Sequence, residues 1–226
     1  MNGYIGPTYP PYFMIPVQPE LIVAQQISSL LLMYMEHTGD LPKINSVRGI
    51  LKYQTKVDNA LGIQKYDVDT LISSTAAGTL LIAASQRGNI GMVNFLIRLG
   101  IDVTLDSDMA ICSAAANGHY SIITVLLKSG ADVCARNNYP VISASTYGHF
   151  KTVKVLMGNG ADASANGNTP IMRASEGGHY KIIKTLLSNG ADASANDNYP
   201  VNVASEHRYL DVIACLIEAG AHIRMS

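Results

Sequence analysis

Hydrophobic and polar positions recur with a period of 30 residues along the C-terminal two thirds of the chain. The recurring positions are Leu96, Leu126, Leu156, Leu186 and Leu216; Ala84, Ala114, Ala144, Ala174 and Ala204; Gly100, Gly130, Gly160, Gly190 and Gly220; and Gly88, Gly118, Gly148 and Gly178. A fixed period of this length predicts a repeat protein built by stacking one small structural unit.

Each unit predicts two short helices. In the fourth copy, Pro170 stands where its fixed φ suits the first turn of a helix, and Gly177–Gly178 ends that helix. The second helix carries one apolar stripe, formed by Ile182, Ile183, Leu186 and Leu187. Because one helix pair cannot bury its own apolar face, the pattern predicts an all-α solenoid with a continuous core.

The period divides the chain into five helix-turn-helix units and an N-terminal part. The units are residues 78–107, 108–137, 138–167, 168–197 and 198–226. In the last unit Glu206, His207 and Arg208 add polar character, which predicts a capping repeat with a wetter outer face.

The N-terminal part shows no obvious repeat. Residues 1–19 are rich in proline and tyrosine, which predicts an extended tail. Residues 20–77 predict a helical region, and two interpretations stay open for it. It either caps the first unit or docks a second partner or another copy of the chain.

Composition and charge narrow the function classes. The net charge is −1 and only 15% of residues are charged, which weighs against nucleic-acid binding and a polybasic membrane anchor. The apolar stretch of residues 21–35 is interrupted by polar residues and too short to span a bilayer. Three cysteines without a short paired motif suggest a reducing compartment, so we expect a cytoplasmic protein.

The candidate chemistry favours structural roles. His119, His149 and His179 form a column, but equivalent residues of stacked helices lie about 8–10 Å apart, too far to share one metal ion. We expect each to bond the local backbone at its helix start. Cys112 and Cys215 align with apolar positions and predict small core residues. No catalytic motif, metal site or cofactor site is indicated, so we expect no enzyme.

Four lysines occupy matching outward positions in two adjacent units: Lys151, Lys154, Lys181 and Lys184. Two interpretations are open, a solvated face or contact with an acidic partner.

The repeating residues of the fourth unit carry a family resemblance. Thr169–Pro170–Ile171, Ala174, Gly178–His179 and Gly190–Ala191–Asp192 resemble the ankyrin repeat nearly column for column. The unit has 30 residues rather than the usual 33, and the missing residues fall in the hairpin finger, so we expect short fingers. Units of this length resemble the ankyrin arrays of giant DNA viruses.

The resemblance implies a binding surface for a protein partner, made of finger tips and the concave side of the first helices. The matching positions are Arg136, Asn137, Tyr139, Asp197 and Tyr199 in the fingers, and Arg87, Tyr147, Arg173, Glu176 and His207 on the first helices. It implies a non-catalytic adaptor. One such adaptor would be a viral protein that binds a host protein. The alternative is a structural component of a virion or homo-oligomer, with self-association through residues 1–40.

Overall fold

A computed structural model describes residues 75–223 of the chain. This part contains ten helices and no strand. The helices are α1 Thr75–Gln86, α2 Ile90–Arg98, α3 Leu105–Ala116, α4 Tyr120–Lys128, α5 Ala135–Thr146, α6 Phe150–Gly158, α7 Ala165–Glu176, α8 Tyr180–Ser188, α9 Ala195–Glu206 and α10 Leu210–Glu218. The predicted all-α solenoid is confirmed. The predictions for residues 1–19, for self-association through residues 1–40 and for most of residues 20–77 lie outside the described residues.

Odd-numbered helices are the first helices of the units and even-numbered helices are the second. Each helix packs against its partner in the unit and against its equivalent in the next unit. Contacts between neighbouring first helices are more extensive than those between neighbouring second helices. The first helices of adjacent units therefore make the closer contact. Below, their side of the stack is called the inner side, and that of the second helices the outer side.

The recurring leucine and alanine positions form the core of the stack. Leu126, Leu156, Leu186 and Leu216 are completely buried, as are Ala114, Ala144, Ala174 and Ala204. Leucine fills the space between the two helices of a unit, whereas alanine allows the first helices of adjacent units to approach closely. The period in the sequence is thus the period of one continuous core.

The connection between units is a tight turn of left-handed residues, so the fingers are shorter than a β-hairpin. Three consecutive residues with positive φ open each of α3, α5, α7 and α9, and the right-handed helix follows them. These positions hold Asp106–Ser107–Asp108, Arg136–Asn137–Asn138, Asn166–Gly167–Asn168 and Asn196–Asp197–Asn198. Asparagine and aspartate dominate because they tolerate the left-handed region better than other side chains do.

The aspartate two residues after the recurring glycine at the end of each second helix shapes the approach to the next turn. Oδ1 of Asp102 accepts hydrogen bonds from the backbone N–H and the hydroxyl of Thr104, at 2.9 and 2.7 Å. These two donors hold the pKa of Asp102 below its usual value, the backbone N–H contributing most. Asp162 and Asp192 make the same pair of bonds to Ser164 and Ser194.

Side chains of the turns also join one unit to the next. Asp108 Oδ1 accepts from the backbone N–H of Asp132 at 2.9 Å, and Asn168 Oδ1 accepts from that of Asp192 at 2.8 Å. Asn198 Oδ1 repeats the bond to His222. The asparagine and aspartate positions therefore fix the turn and the register between units together.

The histidine column bonds across units, so the expectation of a local bond at the helix start was wrong. Nε2 of His149 donates to the carbonyl of Ala116 at 3.1 Å, and His119 and His179 bond Gln86 and Thr146 in the same way. Each acceptor lies near the end of the preceding first helix, where carbonyl groups lack a helical partner. The imidazole therefore caps the neighbouring unit and not its own helix.

The last unit has a mixed outer face. Glu206, His207 and Arg208 are exposed, as a polar cap predicts, but Leu210, Ile217 and Ile223 are exposed too. In the other units the position of Ile217 is partly or fully covered, because the second helix of the next unit lies beside it. The capping role of this unit stays a prediction.

The described helices contain at most 12 residues. A bilayer crossing requires about 20 residues of helix, so none of the helices between residues 75 and 223 can span a membrane.

Candidate functional site

The ten predicted partner-binding residues lie along the edge of the turns and on the first helices or their C-terminal ends. Seven are exposed: Arg87, Arg136, Asn137, Tyr139, Tyr147, Asp197 and His207. Three are partly buried: Arg173, Glu176 and Tyr199. One set lies at the turn edge and the other on the first helices or at their C-terminal ends, so the two sets border the same side of the stack.

The turns form a ladder along one edge, in which the second and third turns are each bonded to the turn before them. The guanidinium of Arg136 donates to the carbonyls of Asp106 and Ser107, at 2.8 and 3.2 Å, and pairs with the Asp106 carboxylate at 3.1 Å. One unit further, the amide of Asn166 donates to the carbonyl of Asn137 at 3.1 Å. Arg136 thus holds its neighbour in place while part of its surface stays open to a partner.

Three of the predicted residues meet in one cluster between the fourth and fifth units. Arg173 and Glu176 form an ion pair within α7, with Nη1 3.0 Å from both carboxylate oxygens. The hydroxyl of Tyr199 donates to Oε1 of Glu176 at 2.9 Å. Tyr199 therefore bridges α7 and α9. The carboxylate of Glu176 holds both Arg173 and Tyr199 in place.

Two aromatic contacts hold residues at the C-terminal ends of the first helices. The Tyr147 ring lies 6.3 Å from the ring of His149, and His207 stacks on Tyr209 at 5.5 Å. Tyr147 nevertheless remains 58% exposed, and Tyr139 at the turn edge is 44% exposed. These two tyrosines present the largest apolar area on this surface, and tyrosine contributes strongly to protein interfaces.

The cysteines differ in accessibility. Cys112 is buried in the core, as predicted, and burial raises its thiol pKa to about 12. Cys134 is half-buried beside a turn. Cys215 is half-buried and packs against the core, so its predicted core position is confirmed in part. Between residues 75 and 223, no three histidine, cysteine or acidic side chains are grouped in a way that could hold a metal ion.

Cys112 is expected to resist alkylation in the native state. At pH 8 its thiol is neutral and enclosed, whereas the thiolate is the reactive form. Iodoacetamide labelling followed by peptide mass spectrometry should modify Cys134 first and leave Cys112 unmodified until urea is added. Labelling of Cys112 at the rate of Cys134 without denaturant would contradict its burial.

On the outer surface, the four lysines that the sequence places at matching positions are arranged around a groove. The four lysines do not form a single group, because Nζ of Lys151 lies 5.3 Å above the Tyr120 ring of α4. The other three line an open groove of about 490 Å³ between α6 and α8, beside Phe150 and Tyr180. The apolar floor depends on how the two helices pack, which the lysine spacing does not show.

Comparison with known protein families places the repeats in one of them. The family model described as ankyrin repeats matches the chain in three copies, at residues 52–137, 114–197 and 141–226. The first copy begins upstream of Gly78 and so includes part of the region predicted to be helical. No curated protein matches the chain. Ankyrin repeats are a protein–protein interaction module. Together with the helix pairs, the histidine bonds between units and the turn ladder, the match over residues 52–226 shows that this chain belongs to the ankyrin-repeat family.

Proposed function

We propose that this chain is a non-catalytic adaptor that binds a protein partner on its concave surface. The partner would contact the turn ladder and the C-terminal ends of the first helices, where the ten predicted residues lie. The observation that carries the proposal is the pair of exposed tyrosines, Tyr139 and Tyr147, which border a surface of bonded and therefore ordered polar side chains. Ordered side chains lose little further entropy on binding.

The short units also bear on the origin of the chain and on the kind of partner it binds. Their resemblance to the arrays of giant DNA viruses supports a viral protein in the cytoplasm of an infected cell, and the partner would then be a host protein. Such an interaction needs neither a cofactor nor a membrane or nucleic-acid contact.

Affinity purification with a matched pair of variants tests the concave surface. We expect recovery of the proteins that bind the concave surface to fall at least tenfold with Tyr139→Ala/Tyr147→Ala, because truncating a tyrosine at an interface hot spot costs about 2 kcal/mol or more. Tyr120→Ala is the control, since Tyr120 is similarly exposed but lies on a second helix. Quantitative mass spectrometry compares the three baits. Equal recovery by the double variant and the wild type would refute binding at this surface.

A structural component of a larger assembly is the second candidate. The exposed Leu210, Ile217 and Ile223 at the end of the stack favour it, because an exposed apolar end can bury itself against another subunit. Light scattering during size exclusion separates the two functions: a monomer supports the adaptor, whereas an oligomer that dissociates with Ile217→Glu or on removal of residues 1–40 supports assembly.

A further inference from the structure

The groove between α6 and α8 is basic on its rim and apolar on its floor. Lys154, Lys181 and Lys184 are exposed around it. The floor includes Phe150, Met157 and Tyr180. None of the residues that line the groove is acidic, and none of these three lysines forms an ion pair within the part of the chain that the structure describes.

The pair of lysines at these two positions of the second helix occurs only in the third and fourth units. Matching positions elsewhere are Gly91 and Asn94 on α2, Ser121 and Thr124 on α4, and Asp211 and Ala214 on α10. Lysine at this position is therefore no requirement of the repeat or of its solubility. The unit otherwise repeats closely, so two adjacent lysine pairs distinguish one stretch of the outer surface from the rest.

Charged side chains lie on both sides of the groove. On the α10 side, Glu218 is exposed, and Lys184 and Glu218 both act on the Cys215 thiol, whose pKa is raised mainly by burial. On the α4 side, the ammonium group of Lys151 lies over the ring of Tyr120. Positive charge therefore continues past the groove toward α4, whereas a carboxylate lies beyond it toward α10.

The floor determines what kind of anion fits. Tyr180 is 38% exposed, and Phe150 is partly buried against the core, so an incoming apolar side chain finds aromatic surface between the ammonium groups. A volume of about 490 Å³ is within the range of sites that hold a few side chains. Charge alone would attract any polyanion, but an apolar floor adds affinity only for a ligand with its own apolar groups.

We propose that this groove binds a short acidic segment of a partner protein, with carboxylates against the three lysines and an apolar side chain on Phe150 and Tyr180. It lies on the second helices, opposite the concave surface. The chain can then hold two proteins at once, which is what an adaptor requires.

Peptide display tests the groove with a defined probe. A phage library of random twelve-residue peptides is selected against the full chain, and the most enriched peptide is synthesised with a fluorescein label. We expect enriched sequences to combine several aspartates or glutamates with an aromatic or aliphatic residue. Fluorescence anisotropy should then show at least tenfold weaker binding to Lys154→Glu/Lys181→Glu/Lys184→Glu, and weaker binding as salt increases.

A matched variant separates local from overall charge. Arg98→Glu/Lys128→Glu/Arg208→Glu changes the net charge equally at exposed positions outside the groove, and its affinity should stay within twofold of wild type. Tyr139→Ala/Tyr147→Ala should also bind the peptide unchanged, which separates this site from the concave surface. Circular dichroism establishes that all variants are folded.

Three results would overturn the proposal. One is enrichment without an excess of acidic residues. Another is an equal loss of affinity in both triple variants. The third is displacement of the peptide by phosphatidylserine vesicles or duplex DNA as effectively as by unlabelled peptide, since the groove would then respond to negative charge alone.

Discussion

Replacing Gly148 with alanine is expected to lower the free energy of unfolding by about 2–4 kcal/mol. Gly148 has a φ of +75°, which a side chain adopts only with strain. An added Cβ would also lie 2.6 Å from Cε1 of His179, whose Nε2 is held by the carbonyl of Thr146. The imidazole cannot move aside without breaking the bond that joins the two units. Urea denaturation followed by circular dichroism measures the loss.

Gly160 provides the control that separates the cost of backbone strain from the cost of the contact with His179. Its φ is +88°, but an added Cβ meets no atom within 4 Å, so Gly160→Ala should cost only the backbone term of about 1–2 kcal/mol. In a Gly148→Ala background, His179→Ala should recover part of the stability because it removes the clash. Equal losses for Gly148→Ala and Gly160→Ala would show that the histidine contact is unimportant.

Leu156→Ala is expected to destabilise the stack by about 2–5 kcal/mol, because it leaves a cavity in a fully enclosed site. Leu156 belongs to the middle unit, which has a neighbour on both sides. Loss of packing there should weaken the coupling between the two halves of the array, so unfolding in urea should become less cooperative. Hydrogen exchange would show the amides of α5 and α6 losing protection first.

Leu216 is the matched control for the position in the array. It occupies the same column and is also completely buried, but it lies in the last unit. Leu216→Ala should fray α9 and α10 while protection in α3 and α4 is unchanged, because each unit contacts only its neighbours. If both variants reduced protection uniformly along the chain, the array would be behaving as one cooperative domain.

The candidate site could be predicted from the sequence only in part. Variable positions between recurring ones indicated which residues face outward, and Tyr139 and Tyr147 are exposed as that requires. The bonds of Arg136 to Asp106 and of Tyr199 to Glu176 join residues 30 and 23 positions apart. They depend on the distance and rotation between stacked units, which no local pattern specifies.

The groove on the outer surface could likewise be predicted from the sequence only in part. The lysine positions follow from the repeat, but their separation does not: Lys151 turns toward Tyr120 while Lys154 faces α8. The direction of each lysine depends on the side of α6 on which it lies and on whether an aromatic ring is present there. An apolar floor between two helices exists only after they have packed.

The sequence by itself determined the fold class, the period and the core. A 30-residue recurrence of leucine, alanine and glycine buries its apolar positions when the helix pairs stack in register. The resemblance of its repeats also located the fingers between the units and indicated that they are short. The tertiary structure decided the partners of the side chains, as His149 shows by bonding Ala116 rather than its own helix. Local propensity acts within a few residues, whereas these contacts arise between units whose relative position is set by packing over the whole stack.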